Sequence, residues 1–428
     1  MEMRIMRKLT VLRAGLLLSM AFACGAGADE ISDLKKQLAE MQTRIEQLEA
    51  RQKKVIAEEA DKAVEKKQVS ALPDSMKWVE KVKIGGDIRY RHESIDEQSG
   101  GDWKQGVNRH RLRARLSITG KVNEDIDLGF RLASGSADPV STNQNLESSF
   151  SSKDLWLDLA YFDWHPTTIN GFKLIGGKMP QPFYRVGGNQ LIWDDDLNPE
   201  GLAAKYETPI NENLKAYLCG GGFWVEERDS AGSVDSSLWG IQAYLKNKFD
   251  GDTYLLGGLT YYDYGNIEDQ RDLAAAWRGS ARFFGNTPNP ADTNVFAYDY
   301  DIIEGFVEYG FKLADFPVAV YGNYAHNTAA PGSKSNGWLI GLTFNKLKDP
   351  GSWRLGYNYR DLDSDAVVGQ FNESDFIGGG TDGKGHRFNF AYQLAKNFEA
   401  GLTYFLNERK DDDKNDYRRF EADLVFKF

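Results

Sequence analysis

Residues 84–91 read Ile-Gly-Gly-Asp-Ile-Arg-Tyr-Arg, and residues 111–118 read Arg-Leu-Arg-Ala-Arg-Leu-Ser-Ile. In the first stretch Ile84, Gly86, Ile88 and Tyr90 alternate with Gly85, Asp87, Arg89 and Arg91; in the second Leu112, Ala114, Leu116 and Ile118 alternate with Arg111, Arg113, Arg115 and Ser117. A period of two places such sets on opposite faces of a β-strand. A row of arginines cannot face lipid, where each would cost about 2 to 4 kcal/mol near the midplane. The apolar face can, so these strands belong to a sheet with lipid on one side and water on the other.

The same alternation recurs at 126–132, 155–161, 303–311, 338–344, 353–359, 388–394 and 398–406. Weaker segments lie near 171–179, 201–208, 213–226, 236–248, 252–264, 316–326 and 416–428, which brings the expected number to sixteen. Connections alternate too: short at 121–125, 165–171, 209–213, 248–251, 313–316, 346–351 and 395–397, long near 93–107, 134–152, 178–200, 227–236, 265–297, 327–336, 361–384 and 408–415. An up-and-down barrel with short periplasmic turns and long outer loops requires that pattern; a soluble sandwich does not. Mean hydropathy is -0.52, and no apolar run reaches the roughly 18 residues of a spanning helix. Alternating strands hide their hydrophobicity in such averages. The last strand ends Phe420, Ala422, Leu424, Phe426, Phe428, apolar at every second position to the carboxyl terminus. That ending resembles the signal by which outer-membrane barrels are recognised for insertion.

One long segment has no clean period. Residues 178–206, KMPQPFYRVGGNQLIWDDDLNPEGLAAKY, carry three prolines, the run Trp193-Asp194-Asp195-Asp196 and the turn Pro199-Glu200-Gly201. Phe183, Tyr184 and Trp193 argue for order and so for function. Gly177-Lys178-Met179, Pro182-Phe183 and Trp193-Asp194-x-Asp196-x-x-Pro199-Glu200-Gly201 resemble the constriction-loop region of a porin family of Gram-negative bacteria. The resemblance extends from about residue 83 to the end. It implies an all-β, 16-stranded antiparallel transmembrane β-barrel over 83–428, narrowed by an infolded constriction loop at 178–200. It also implies a homotrimer in outer-membrane lipid and lipopolysaccharide.

Residues 1–28 read as a signal peptide: Arg4, Arg7, Lys8 and Arg13, an apolar stretch from Ala14 to Phe22, and Ala26-Gly27-Ala28 as cleavage site. A lipidated Cys24 is the weaker alternative, because Ala21-Phe22-Ala23 lacks the usual leucine. Cleavage removes those four basic residues and Glu2, lowering the formal charge of -11 by a further three. An acidic exported chain is not a nucleic-acid binder. Only Cys219 then remains, so no intrachain disulfide can form. Over 29–70, Ile31, Leu34, Leu38, Met41, Ile45 and Leu48 recur in steps of three and four. This spacing predicts a short α-helical periplasmic coiled coil, with 71–82 as linker and peptidoglycan as one contact it could reach. The seam residues lean towards a dimer or leave the order ambiguous, whereas the resemblance implies a trimer.

The predicted lumen carries Arg89 and Arg91 on the first strand and Arg109, Arg111, Arg113 and Arg115 on the second. In general porins a basic wall of this kind faces acidic residues of the infolded loop, here Asp194, Asp195, Asp196 and Glu200. Facing charges orient dipolar solutes and hinder greasy ones. An equal alternative is that the arginines are wall struts paired with Asp87, Asp125 and Asp127; both can hold at once. Acidic residues at 361–375 and 411–413 are expected in outer loops, too distant and screened to outweigh the arginine wall, which gives a weak anion preference.

No cofactor, metal or catalytic motif emerges. Asp361-x-Asp363-x-Asp365 begins like a calcium loop, but Ala366 and Asn372 stand where glycine and glutamate are required. The five histidines lack metal spacing, and Gly220-Gly221-Gly222 lies in a strand pattern with no helix behind it. The sequence therefore predicts a porin passing small polar solutes by diffusion, with three rivals: an anchor, adhesin or sheath with a plugged lumen; a barrel enzyme; and a soluble β-protein.

Overall fold

The computed structural model describes residues 74–228, 234–273, 283–410 and 415–428, together with nine positions between 36 and 48. The chain divides into two units, one ending at Glu80 and one spanning Lys81–Phe428. In the first, the described positions between Lys36 and Leu48 are helical, with Met41 and Leu48 exposed. The signal segment and most of the expected coiled-coil seam lie outside the described residues. Asp74–Lys81, within the expected linker, forms a 3-10 helix.

Among the described residues of the second unit, eighteen strands form a single sheet. Two of them, Asp102–Trp103 and Gln144–Asn145, are two residues long. The other sixteen build the wall: β1 Val82–Ser99, β2 Val107–Lys121, β3 Ile126–Ser134, β4 Leu155–Trp164, β5 Phe172–Lys178, β6 Glu200–Pro209, β7 Leu214–Glu226, β8 Ser236–Lys248, β9 Tyr254–Gly265, β10 Tyr300–Leu313, β11 Phe316–Asn327, β12 Asn336–Phe344, β13 Trp353–Leu362, β14 Gly383–Ala395, β15 Phe398–Arg409 and β16 Asp416–Lys427. Each pairs antiparallel with its neighbours in sequence. β1 closes the barrel on β16, from Asp87 opposite Lys427 to Glu97 opposite Tyr417. Closure removes both sheet edges, the requirement for a sheet immersed in lipid. Gly220-Gly221-Gly222 lies inside β7.

Phe428 completes the closure. Its backbone N–H donates to the Gly86 carbonyl and its own carbonyl accepts from the Gly86 N–H, both at 3.1 Å. A Cβ at Gly86 would lie 2.2 Å from the Arg115 carbonyl and 2.7 Å from the Phe428 ring, so only glycine admits that ring.

The two strand faces are those expected from the period of two. Ile84, Ile88, Tyr90, Leu116, Leu128, Ile303, Val307, Leu402, Tyr404, Leu424 and Phe426 are exposed on the outside. Asp87, Arg91 and Glu93 on β1, or Glu304 and Glu308 on β10, are buried on the inside. One expected boundary moves: the connection placed at 93–107 shrinks to residues 100–106, because β1 and β2 stay paired as far as Ile95 and Val107 and then reach the short Gln98–Trp103 ladder.

The interior is filled from three connections. Residues 179–199, between β5 and β6, bury Met179, Phe183, Val186, Leu191 and Trp193. Residues 363–382, between β13 and β14, bury Ala366, Val367, Val368 and Phe376. The described part of 266–299 adds Ile267, Leu273 and Phe296, and most of these side chains form one apolar cluster with inward residues of β7–β13 such as Phe223, Tyr262, Phe306 and Leu339.

Candidate functional site: the channel constriction

The loop 179–199 departs from the wall at Lys178 and returns at Glu200, which face each other across β5 and β6 and are joined by a 2.8 Å ion pair. Its tip is fixed to the wall at β8 and β10 by polar contacts. The Tyr184 N–H donates to Gln242 Oε1 at 2.8 Å, and Gln242 Nε2 donates back to the Tyr184 carbonyl at 3.0 Å. The Gly187 N–H donates to Glu308 Oε2 at 2.7 Å, and Tyr254 holds the other Glu308 oxygen at 2.7 Å. Gly187 has φ +59°, and a Cβ there would sit 2.3 Å from the Tyr321 ring. Trp193 Nε1 donates to the Tyr262 hydroxyl at 3.0 Å within an edge-on ring pair. Every backbone or ring donor named here has a partner, as burial requires.

The second infolded loop is stitched to the first. The Asp194 N–H donates to the Phe371 carbonyl at 2.7 Å, the Ser374 N–H donates to Asp194 Oδ2 at 2.8 Å, and the Glu373 N–H donates to the Gln190 carbonyl at 3.3 Å. Buried Arg360 of β13 pairs with Glu373. This corrects one expectation: Asp365, Glu373 and Asp375 are not outlying loop charges. Asp365 and Glu373 are buried, and Asp375 meets Arg91 at 3.1 Å and Arg419 at 2.7 Å. Burial would raise the Asp375 pKa, but Arg419, Arg91, Arg111 and Arg89 hold it well below the usual carboxylate range. Asp361 and Asp363 do stay near the loop end, where both accept from Lys410 at 2.8 and 2.6 Å. Residues 411–413 lie outside the described residues.

All six arginines read from the sequence lie on the inner phase of β1 and β2. Arg113 and Arg115 share Asp87, at 2.8 and 2.7 Å. Arg109 and Arg111 share Glu93, at 2.6 and 3.3 Å. Arg91 pairs with Glu421 at 2.8 Å and Asp423 at 2.7 Å. Arg89 alone of the six has no ion pair among the described residues; it donates to Asn143 Oδ1 at 2.6 Å. Of the other proposed struts, Asp125 caps the Thr167 N–H at 2.7 Å and Asp127 meets His165 at 3.2 Å.

The three aspartates take three different places. Asp196 faces the wall, 3.7 Å from Arg115, and accepts from the Thr142 hydroxyl at 3.1 Å. Asp195 is exposed and pairs with Arg185 of its own loop at 2.6 Å. Asp194 is buried; desolvation, and then the Asp196 charge beside it, push its pKa well above the ordinary carboxylate value. Glu200 remains at the loop base with Lys178.

A cavity of about 230 Å³ lies between loops and wall, lined by Gln190, Asp194, Asp195, Asp196 and Asp375 of the loops and by Arg89, Arg91, Arg113, Arg354 and Arg387 together with Glu399, Glu421 and Asp423 of the wall. Arg354, Arg387 and Arg419 were missed in the sequence, although each stands out of phase with an outward apolar residue, Leu355, Phe388 or Phe420, that the same alternation had marked. Asp375 gave no such signal, because its loop has no period.

A closed sixteen-stranded barrel with apolar outer face, charged lumen and infolded β5–β6 connection defines an outer-membrane barrel of the porin type. The family described as "Putative porin" matches residues 98–292 and 293–428, and the chain belongs to that family. Among solved structures, Pseudomonas putida OprB is similar at 12% identity, with a TM-score of 0.53 over 82% of this chain and 96% of that one. Salmonella typhi OmpF, in a complex with daunomycin, is 12% identical over 81% and 97%, with a TM-score of 0.49. A Rhodopseudomonas blastica porin triple mutant is 13% identical over 81% and 100%, with a TM-score of 0.46. No curated protein sequence matches the chain.

Proposed function

We propose that the protein is a diffusion channel for small hydrophilic solutes with a weak anion preference, needing no cofactor and catalysing no reaction. The observation that carries this reading is the charged cavity between Asp194–Asp196 with Asp375 and the arginines of β1, β2, β13 and β14. Most of its carboxylates are matched by arginines, so the wall is stiff. Arg89 and Arg354 have no ion pair among the described residues, and these two unmatched cations are what a passing anion would meet. In this reading Arg89, Arg91, Arg109, Arg111, Arg113 and Arg115 with Asp194, Asp195, Asp196 and Glu200 make the constriction and its supports. The chain sits in lipid and lipopolysaccharide as a homotrimer, and residues 29–70 form a periplasmic coiled coil within reach of peptidoglycan. Swelling of liposomes carrying the purified protein tests the reading. Rates should fall steeply from pentoses to trisaccharides, and absence of swelling with every sugar would reject it.

A second reading has one specific observation in its favour. The apolar cluster formed by the three infolded connections occupies much of the barrel interior beside β7–β13, as a plugged anchor or sheath would require. It predicts protein that inserts and stays impermeable.

A further inference from the structure

The lumen holds a second cavity, on the short-turn side of the docked loop and apart from the constriction. Its volume is about 930 Å³, and its lining includes Lys173, Lys205, Glu207, Tyr217, Tyr244 and, from the loop, Tyr184. That volume suits a small organic ligand, for which pockets span roughly 300 to 1,000 Å³.

Three tyrosine rings form a stack in it. Tyr217 and Tyr244 lie parallel, with centroids 4.4 Å apart and planes 6° from each other. Tyr184 stacks on Tyr244 at 5.0 Å and 29°. Among the described residues the stack ends at Tyr217, which has no other ring neighbour, and all three side chains are only half-buried. Structural tyrosines bury their rings and bond their hydroxyls. Neither Tyr217 nor Tyr244 has a hydroxyl partner among the described residues.

Charge is arranged around the open end. Glu207 of β6 pairs directly with Tyr217 of β7, and Lys205 is its same-face diagonal neighbour, opposite Cys219. Diagonal side chains of this kind are about 7 to 8 Å apart at the backbone, within reach of a lysine. Lys205 has no ion pair among the described residues, whereas Lys173 is held by Asp163 at 2.9 Å. A flat ring laid on Tyr217 thus meets β6, where Glu207 offers a carboxylate acceptor directly across and Lys205 an ammonium two residues along the same face.

We propose that this cavity is a binding subsite for a ring-bearing hydroxy-carboxylate, its ring on Tyr217, its carboxylate on Lys205 and a ring hydroxyl donating to Glu207. The assignment rests on the channel reading and names the solute class that the channel would favour. An aromatic hydroxy acid and a sugar acid share this chemistry.

The test is block of the open-channel current by 4-hydroxybenzoate, glucuronate or acetate added from the short-turn side. One of the two ring acids should reduce the current at concentrations where acetate does not, and whichever blocks identifies the source. Loss of one stacking contact in Tyr217→Leu should raise the half-blocking concentration about threefold to tenfold. Lys205→Gln, a lumenal change that leaves the stack in place, should do the same. Equal effects of all three acids, or unchanged block in both variants, would overturn the subsite. If the wild-type protein does not conduct, the channel reading fails separately. Equilibrium dialysis of the two ring acids against detergent-solubilised wild type and variants then decides the subsite, and equal binding to all three proteins rejects it.

Discussion

Replacing Glu308 by alanine should free the constriction loop while leaving the barrel closed. Glu308 is 6% exposed on β10, and its two oxygens accept from the Gly187 N–H and the Tyr254 hydroxyl, both at 2.7 Å. Hydrogen bonds to a charged group contribute about 1.5 to 3 kcal/mol each. Of these two bonds only the one from Gly187 tethers the loop, since Tyr254 and Glu308 are both wall residues, and relief of the buried carboxylate offsets part of its loss, leaving a net weakening of loop docking of about 2 kcal/mol. That is roughly a 30-fold rise in the undocked population. Hydrogen exchange read by mass spectrometry reports it, provided the readout is an amide whose own bond the mutation spares. Tyr184 qualifies, since its N–H donates to Gln242. Its exchange should accelerate about 30-fold, with amides in β1 and β16 unaffected. Protection of Tyr184 within threefold of wild type would refute the tether.

Other consequences are as specific. Arg89→Gln should move the reversal potential in a salt gradient towards cations and Asp196→Asn towards anions, each by about twofold in permeability ratio, as expected for one charge about 10 Å from the ion path in water. Asp194→Asn should change selectivity little. The raised Asp194 pKa means that its contribution to loop docking is present at low pH and is lost as pH rises through the folded value; in Asp194→Asn, exchange of the loop amides should lose that dependence. Gly187→Ala forces a Cβ into the Tyr321 ring at positive φ, so the loop tip should undock at a cost of about 1 to 3 kcal/mol, visible in the same exchange experiment. Phe428→Ala should slow barrel assembly into lipid, measured by heat-modifiable gel mobility, because it removes the ring that packs against Gly86.

The barrel was legible because its solvent is asymmetric. Lipid outside and water inside impose a strict period of two, so Ile84 to Arg91 alone gives both faces of β1, and the alternation of short and long connections gives the direction of every strand. What the period could not convey is which inward charges satisfy one another. Glu421 and Asp423 on β16 meet Arg91 of β1 only because the first strand closes on the last, and that closure brings together residues more than three hundred positions apart. Asp375 reaches Arg91 from a loop, and Glu93 meets Arg109 and Arg111 across the β1–β2 pair. The loop at 363–382 looked like an acidic outer loop because its aspartates are visible in sequence, whereas the burial of Ala366, Val367 and Val368 that carries it inward is not marked by any period. For the same reason the DDD run read as one acidic patch, although its three members are a buried hydrogen-bond hub, a partner of Arg185 and a residue facing Arg115.

The most direct measurement is single-channel current from the purified full-length protein in a planar bilayer. The account predicts discrete openings in molar potassium chloride and a reversal potential in a salt gradient that marks a weak anion preference, lost in Arg89→Gln. Protein that inserts as a folded barrel yet shows no openings would contradict it and leave the plugged barrel as the correct description.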